Sequence, residues 1–223
     1  MSIQKSNILL KVKNESVNAY LASPEKSGPG IFVLHAWWGL KPFFKEFCDR
    51  LAGQGFIAFA PDLRNGQIAN SIDEAKTLME KSDRQFVGET VKAARDYLFS
   101  LPNRKGEKVG VIGFSMGASW SLDVALRDPD KIAATVLYYG TDNVDFHKVK
   151  SKIMGHYGDH DGWEPMEEIL AMETSMKAAG VDVILHFYPM VGHWFVEEDR
   201  PEYDPSAAKL AWERTLEFLK INL

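Results

Sequence analysis

Apolar and polar residues alternate with a period of two over residues 7–12 and again over 16–21, with Lys13-Asn14-Glu15 between them. Successive strand side chains point to opposite faces, so this pattern predicts an N-terminal hairpin. From residue 31 onward the period changes. Short apolar runs at 31–34, 56–59, 109–112, 132–138, 152–157 and 181–188 read as strands buried on both faces. Between them, 41–53, 84–101, 118–127, 165–179 and 205–219 carry helical spacing. Phe44, Phe47, Cys48 and Leu51 share one face of the first of these helices. Pro102 closes the second, Gly180 stops the fourth, and Asp204 is an N-cap candidate for the last. Residues 63–82 are more polar and less regular, the place for an excursion over the sheet. Strands alternating with helices predict an α/β fold: a mostly parallel central sheet, helices on both faces, and an antiparallel hairpin at the start. Without repeats or a low-complexity linker, residues 1–223 read as one domain.

Composition narrows the classes of function. The chain has 223 residues, enough for a sizeable core, with 45% hydrophobic and 26% charged residues, as in ordinary globular proteins. A formal net charge of −5 gives no electrostatic case for nucleic acid or an anionic membrane surface. The single cysteine, Cys48, excludes an internal disulfide and fits a reducing compartment. Residues 1–5 lack the charged and then apolar run of a signal peptide, and no apolar stretch approaches a membrane span. A cytoplasmic protein is the expectation, as a monomer or small homo-oligomer.

The densest chemical signal is Gly113-Phe114-Ser115-Met116-Gly117, a G-x-S-x-G pattern after a β-branched run and before a helical one. In that context it is a nucleophile elbow: a turn so sharp that the flanking positions must be small, leaving the serine hydroxyl exposed at a helix N-terminus. A serine needs a base, and the base needs an orienting carboxylate. With this elbow the order is Ser, acid, His, each at a strand's C-terminal end. Of the six histidines, His156 and His186 fall inside strands, whereas His193 lies in the loop after the last strand, behind Gly192 and ahead of Trp194 and Phe195. His193 is therefore the candidate base. Asp159 and Asp161 both qualify as the acid; Asp161, deeper in its loop and directly before Gly162, is favoured, with Asp159 in reserve. The crowded His156, Asp159, His160 and Asp161 match no familiar zinc spacing, so neither metal nor cofactor is expected. Two backbone N–H groups should bind the oxyanion: that of Met116, and that of Trp37 in the loop after the 31–34 strand.

These motifs carry a resemblance. Trp38-Gly39-Leu40, Ala60-Pro61-Asp62-Leu63, residues 110–117, 158–165 and 188–195 together make the chain similar to the dienelactone hydrolase family of α/β-hydrolases, from about residue 30 to the last helix. The resemblance implies a Cys or Ser nucleophile at Ser115, the acid at Asp161 and the base at His193. The best-known members have a cysteine nucleophile, with a glutamate after the first parallel strand. Here those positions are Ser115 and Ala36, which looks like a coordinated switch to serine chemistry. Those members also hold a substrate carboxylate with an arginine four residues after the histidine; here that residue is Glu197. Trp38, Trp163, Trp194 and Glu197 are accordingly expected to line a substrate pocket that favours neutral esters or lactones, while Trp120 and Trp212, on helices, read as core. Thioester or peptide cleavage on the same triad is an alternative, as is a binding or regulatory protein that kept the fold without turnover.

Overall fold

The computed structural model describes residues 2–223. The chain divides into two compact units, Met1–Glu107 and Lys108–Leu223.

In the first unit, β1 (Ile3–Val12) and β2 (Glu15–Pro24) form the expected hairpin, in register from Ile3 opposite Pro24 to Val12 opposite Glu15. Both strands outrun the alternating stretches, because the antiparallel ladder extends pairing where the hydrophobic pattern has faded. β2 pairs antiparallel with β4 (Ile57–Pro61), and β4 pairs parallel with β3 (Gly28–Leu34). All five residues of β4 are buried, as a strand covered on both faces requires. α1 (Pro42–Gly53) lays Phe43, Phe44, Phe47, Cys48, Leu51 and Ala52 inward and packs on β2 and β4. α3 (Arg84–Ser100), capped by the Asp83 carboxylate on the Gln85 and Phe86 N–H groups, packs on β1, β3 and β4.

The stretch 63–82, expected to be irregular, contains α2 (Ile72–Glu80). Its start is chemically marked: Ser71 Oγ accepts from Glu74 N, and the Glu74 carboxylate reaches back to Asn70 N. Only Ala75 is buried on it, so it shows no apolar stripe for periodicity to detect.

The loops after β3 and β4 are clamped together. His35 is fully buried; its Nδ1–H donates to Ala36 O at 2.6 Å and its Nε2 accepts from Leu63 N at 2.9 Å. Trp38 O accepts from Ala69 N. Gly39, at φ +95°, lies where a Cβ would come within 2.2 Å of Gln67 O, so only glycine fits. Burial pushes the His35 imidazole down to about pKa 4 against the opposing pull of Asp62.

The second unit contains parallel strands in the order β5 (Arg104–Phe114), β6 (Ile132–Tyr138), β7 (Lys152–Gly158) and β8 (Val183–Tyr188); β5 begins just ahead of the unit boundary. α4 (Met116–Arg127) packs on β6, α6 (Pro205–Asn222) on β6 and β7, and α5 (Met166–Ala178) on β8. Asp204 caps α6 by accepting from Ala207 N. Beneath the strands His156 is fully buried, with Nδ1 bonded to Tyr188 Oη and Nε2 to Thr215 Oγ1, which also meets Tyr138 Oη. Burial also holds the His156 imidazole well below its usual range. This network seats His156 in the core, within β7. Among the described residues no helix is long and apolar enough to cross a membrane.

Candidate active site

Ser115 sits between β5 and α4 with φ 50° and ψ −115°, a conformation that costs a non-glycine residue on the order of 1–3 kcal/mol. The neighbourhood holds it there. Ser115 N donates to Tyr138 O at 2.9 Å, and Ser115 O accepts from Ala118 N at 2.8 Å. A Cβ on Gly113 would lie 2.1 Å from Gly117 O, and one on Gly140 would lie 2.5 Å from Ser115 O. The glycine of the motif is thus a steric requirement. Gly140, at the end of β6, is a second one that the motif does not contain.

His193 follows β8, and Asp161 lies in the loop after β7. His193 Nε2 stands 2.9 Å from Ser115 Oγ, and Nδ1 stands 2.7 Å from Asp161 Oδ2. A carboxylate only accepts, so Nδ1 carries the proton and Nε2 is left to accept from the serine hydroxyl. The His193 and Asp161 side chains are only 3% and 1% exposed, so solvent screens the bond between them little. Asp161 Oδ1 accepts from Trp163 N and Glu164 N, which fixes the carboxylate within its own loop. Glu164 is partly buried, which raises its carboxyl pKa, and it accepts from Thr141 Oγ1 at 2.7 Å.

Asp159, the reserve acid, points elsewhere. Its Oδ1 accepts from Met190 N at 2.6 Å and pairs with His160 Nδ1, which holds its carboxyl below the usual carboxylate range. It joins the loops after β7 and β8 at an exposed rim. Close packing brings those loops together: a Cβ on Gly158 would lie 2.2 Å from Val191 O.

The aromatic residues divide. Trp163 is 45% exposed, with its ring 6.5 Å from that of His193 and 5.4 Å from that of Trp194. Trp194 is buried at φ 30°, edge-on to His193 at 4.9 Å, under the Arg200 guanidinium. Glu197 is fully buried, and its Oε1 accepts from Tyr139 Oη at 2.9 Å. In the first unit Trp38 is fully buried beneath Lys41, and Trp37 is half-buried and edge-on to Trp38. Trp38, Trp194 and Glu197, expected to line a pocket, are thus buried in this structure. Their loops turn inward after the strand ends and pack their side chains, and Trp163 alone of the four pocket candidates is exposed. Met116 opens α4 immediately after Ser115.

Tyr139 was missed by sequence reasoning. It is fully buried at φ 38°, and its ring lies 4.9 Å from that of His193. Burial first, and then the Glu197 charge, push its hydroxyl pKa up, so it stays a donor. The available signal was its position directly after β6, at a strand's C-terminal end, where parallel sheets place functional groups.

The dienelactone hydrolase family profile matches residues 17–223. The chain is 36% identical over 214 residues to a protein of Aquifex pyrophilus named usf, covering 92% of this chain and 93% of that one. It is 32% identical over 222 residues to a provisionally named carboxymethylenebutenolidase of Aquifex aeolicus, covering 93% and 94%. A provisionally named dienelactone hydrolase from Klebsiella pneumoniae has the same fold, with a TM-score of 0.88 at 22% identity over 99% of both chains.

Proposed function

The chain belongs to the dienelactone hydrolase family of hydrolases, with its α/β-hydrolase fold, and we propose that it cleaves ester or lactone bonds through a Ser115–His193–Asp161 triad and an acyl-enzyme. The observation that carries this reading is one imidazole hydrogen-bonded to Ser115 Oγ through Nε2 and to Asp161 through Nδ1.

In the first half-reaction Ser115 Oγ attacks the carbonyl carbon while His193 Nε2 takes the hydroxyl proton. Asp161 keeps Nδ1 protonated and stabilises the imidazolium that forms. The Met116 N–H, at the positive end of α4, donates to the developing oxyanion. The tetrahedral intermediate collapses, His193 returns the proton to the leaving alkoxide, and an ester links the acyl group to Ser115. Water, deprotonated by His193, then attacks that ester and frees Ser115 and the acid. For a lactone, alcohol and acid leave as one molecule. Trp163, exposed beside the histidine, is the group best placed to bear on an apolar acyl or alcohol portion. The unbroken family match from residue 17 to 223 favours treating 1–223 as one hydrolase domain.

The experiment is a rate screen of wild type against Ser115→Ala on esters, lactones and thioesters of graded size. Hydrolysis of neutral esters or lactones that disappears in Ser115→Ala is expected. Activity retained in Ser115→Ala refutes the nucleophile, and a clear preference for thioesters refutes the substrate class.

A further inference from the structure

Three features that cost stability surround one side chain. Tyr139 and Trp194, both non-glycine, hold positive φ angles of 38° and 30°, and Glu197 is a carboxylate with no exposed surface. Each such backbone angle costs on the order of 1–3 kcal/mol, and burying a carboxylate costs more unless it is hydrogen-bonded. The Tyr139 ring stands 4.9 Å from the His193 ring at 56°, Trp194 flanks the same imidazole edge-on, and Tyr139 Oη donates to Glu197 Oε1 at 2.9 Å. Tyr139 N donates to His156 O at 2.9 Å, so the residue is held at its backbone as well as at its hydroxyl.

We propose that Tyr139 and Glu197 form a positioning pair for His193: the buried carboxylate anchors the phenol, and the anchored ring fixes the plane in which the imidazole meets both Ser115 and Asp161. This rests on the reading of His193 as the base. Hydrogen bonds at Nδ1 and Nε2 hold two points on the edge of the imidazole. They bend readily, and a wall against the ring face limits its tilt. The contact of the pair with the proposed triad is the Tyr139 ring against the His193 imidazole. Glu197 is thereby a support behind the base, which accounts for a full burial that a substrate-facing acid would not have.

The test uses Tyr139→Phe, Glu197→Leu, Glu197→Gln and the double variant Tyr139→Phe/Glu197→Leu. Tyr139→Phe strips Glu197 Oε1 of its phenol donor and threatens folding. The double variant replaces both partners with apolar groups of similar shape, which is close to neutral for stability. Two readouts are taken: kcat and KM on the best ester or lactone, and the downfield proton resonance of the His193 Nδ1–H bond to Asp161. A small misplacement of a reacting group costs roughly tenfold or more in rate. The expected result is about a tenfold fall in kcat with KM unchanged in Tyr139→Phe, Glu197→Leu and the double variant. The resonance should be broadened or lost in the same three. Glu197→Gln keeps an acceptor for the phenol and should restore both. Wild-type kcat and resonance in the double variant overturn the proposal, as does a raised KM at unchanged kcat, which would mark a substrate contact. Ser115→Ala serves as the control. If it stays active, the triad reading falls, while the resonance still reports whether Tyr139 and Glu197 hold the imidazole.

Discussion

Acid should destabilise this protein well above the pH at which its carboxylates titrate, and His35 is a main reason. Burial lowers its pKa from the ordinary 6.5 to about 4. In the folded protein it remains neutral, because a proton on Nε2 would face the Leu63 N–H that this atom accepts. In the unfolded chain it protonates near 6.5. The unfolded state therefore binds more protons throughout that interval, and stability is present above pH 6.5 and lost as pH falls toward 4. A separation of 2.5 units at about 1.4 kcal/mol each gives a loss of ~3 kcal/mol between pH 7 and pH 4. That is a large share of the 5–15 kcal/mol typical of a domain. His156 and His186 shift in the same direction and add to the slope. Carboxylates held low by neighbours, such as Asp130 beside Lys150 and Asp145 beside Lys148, withdraw most of their contribution below pH 4, at the acid edge of this window. Urea unfolding at half-unit steps from pH 7 to 4, on wild type and His35→Gln, measures the effect. The glutamine carbonyl can still accept from Leu63 N but takes up no proton. The variant should lose roughly 3 kcal/mol less than wild type across the window. Identical slopes would refute the assignment of the acid sensitivity to His35.

Other perturbations separate neighbouring residues. Asp161→Asn should lower kcat/KM on the order of 10³- to 10⁴-fold by favouring the wrong imidazole tautomer, whereas Asp159→Asn, which keeps an acceptor for Met190 N, should stay within about threefold; steady-state kinetics decides, and the reverse ranking would exchange their roles. Gly113→Ala puts a methyl 2.1 Å from Gly117 O and should cost about 3 kcal/mol or more, or prevent folding, as thermal melts would show. Thr215→Val removes the hydroxyl shared by His156 and Tyr138 and should cost about 1–3 kcal/mol with kcat/KM unchanged; a selective loss of activity would mean that the buried network reaches the site.

Much of this molecule was legible because two kinds of pattern are strong in the chain. The largely apolar runs that became β4 and β6 fit strands buried on both faces, and the Gly113–Ser115–Gly117 spacing constrains a backbone that few other residues tolerate. The order of Ser115, Asp161 and His193 along the chain then pointed to loops at strand ends. What stayed hidden depends on tertiary contact. α2 buries one residue and so has no stripe. The burial of Trp38, Trp194 and Glu197 follows from loops folding inward, and local composition says nothing about that direction. Tyr139 lies just beyond a predicted strand, and its contact with His193 exists only once the loop after β8 returns.

The central claim is that Ser115 is a nucleophile activated by His193. A fluorophosphonate probe with intact-protein mass spectrometry and peptide mapping tests it most directly, because it reports the covalent step without knowledge of the natural substrate. The account predicts a single adduct mapped to Ser115, absent in Ser115→Ala and formed far more slowly in His193→Ala. An adduct that persists in Ser115→Ala, or one that forms at the wild-type rate without His193, would contradict it.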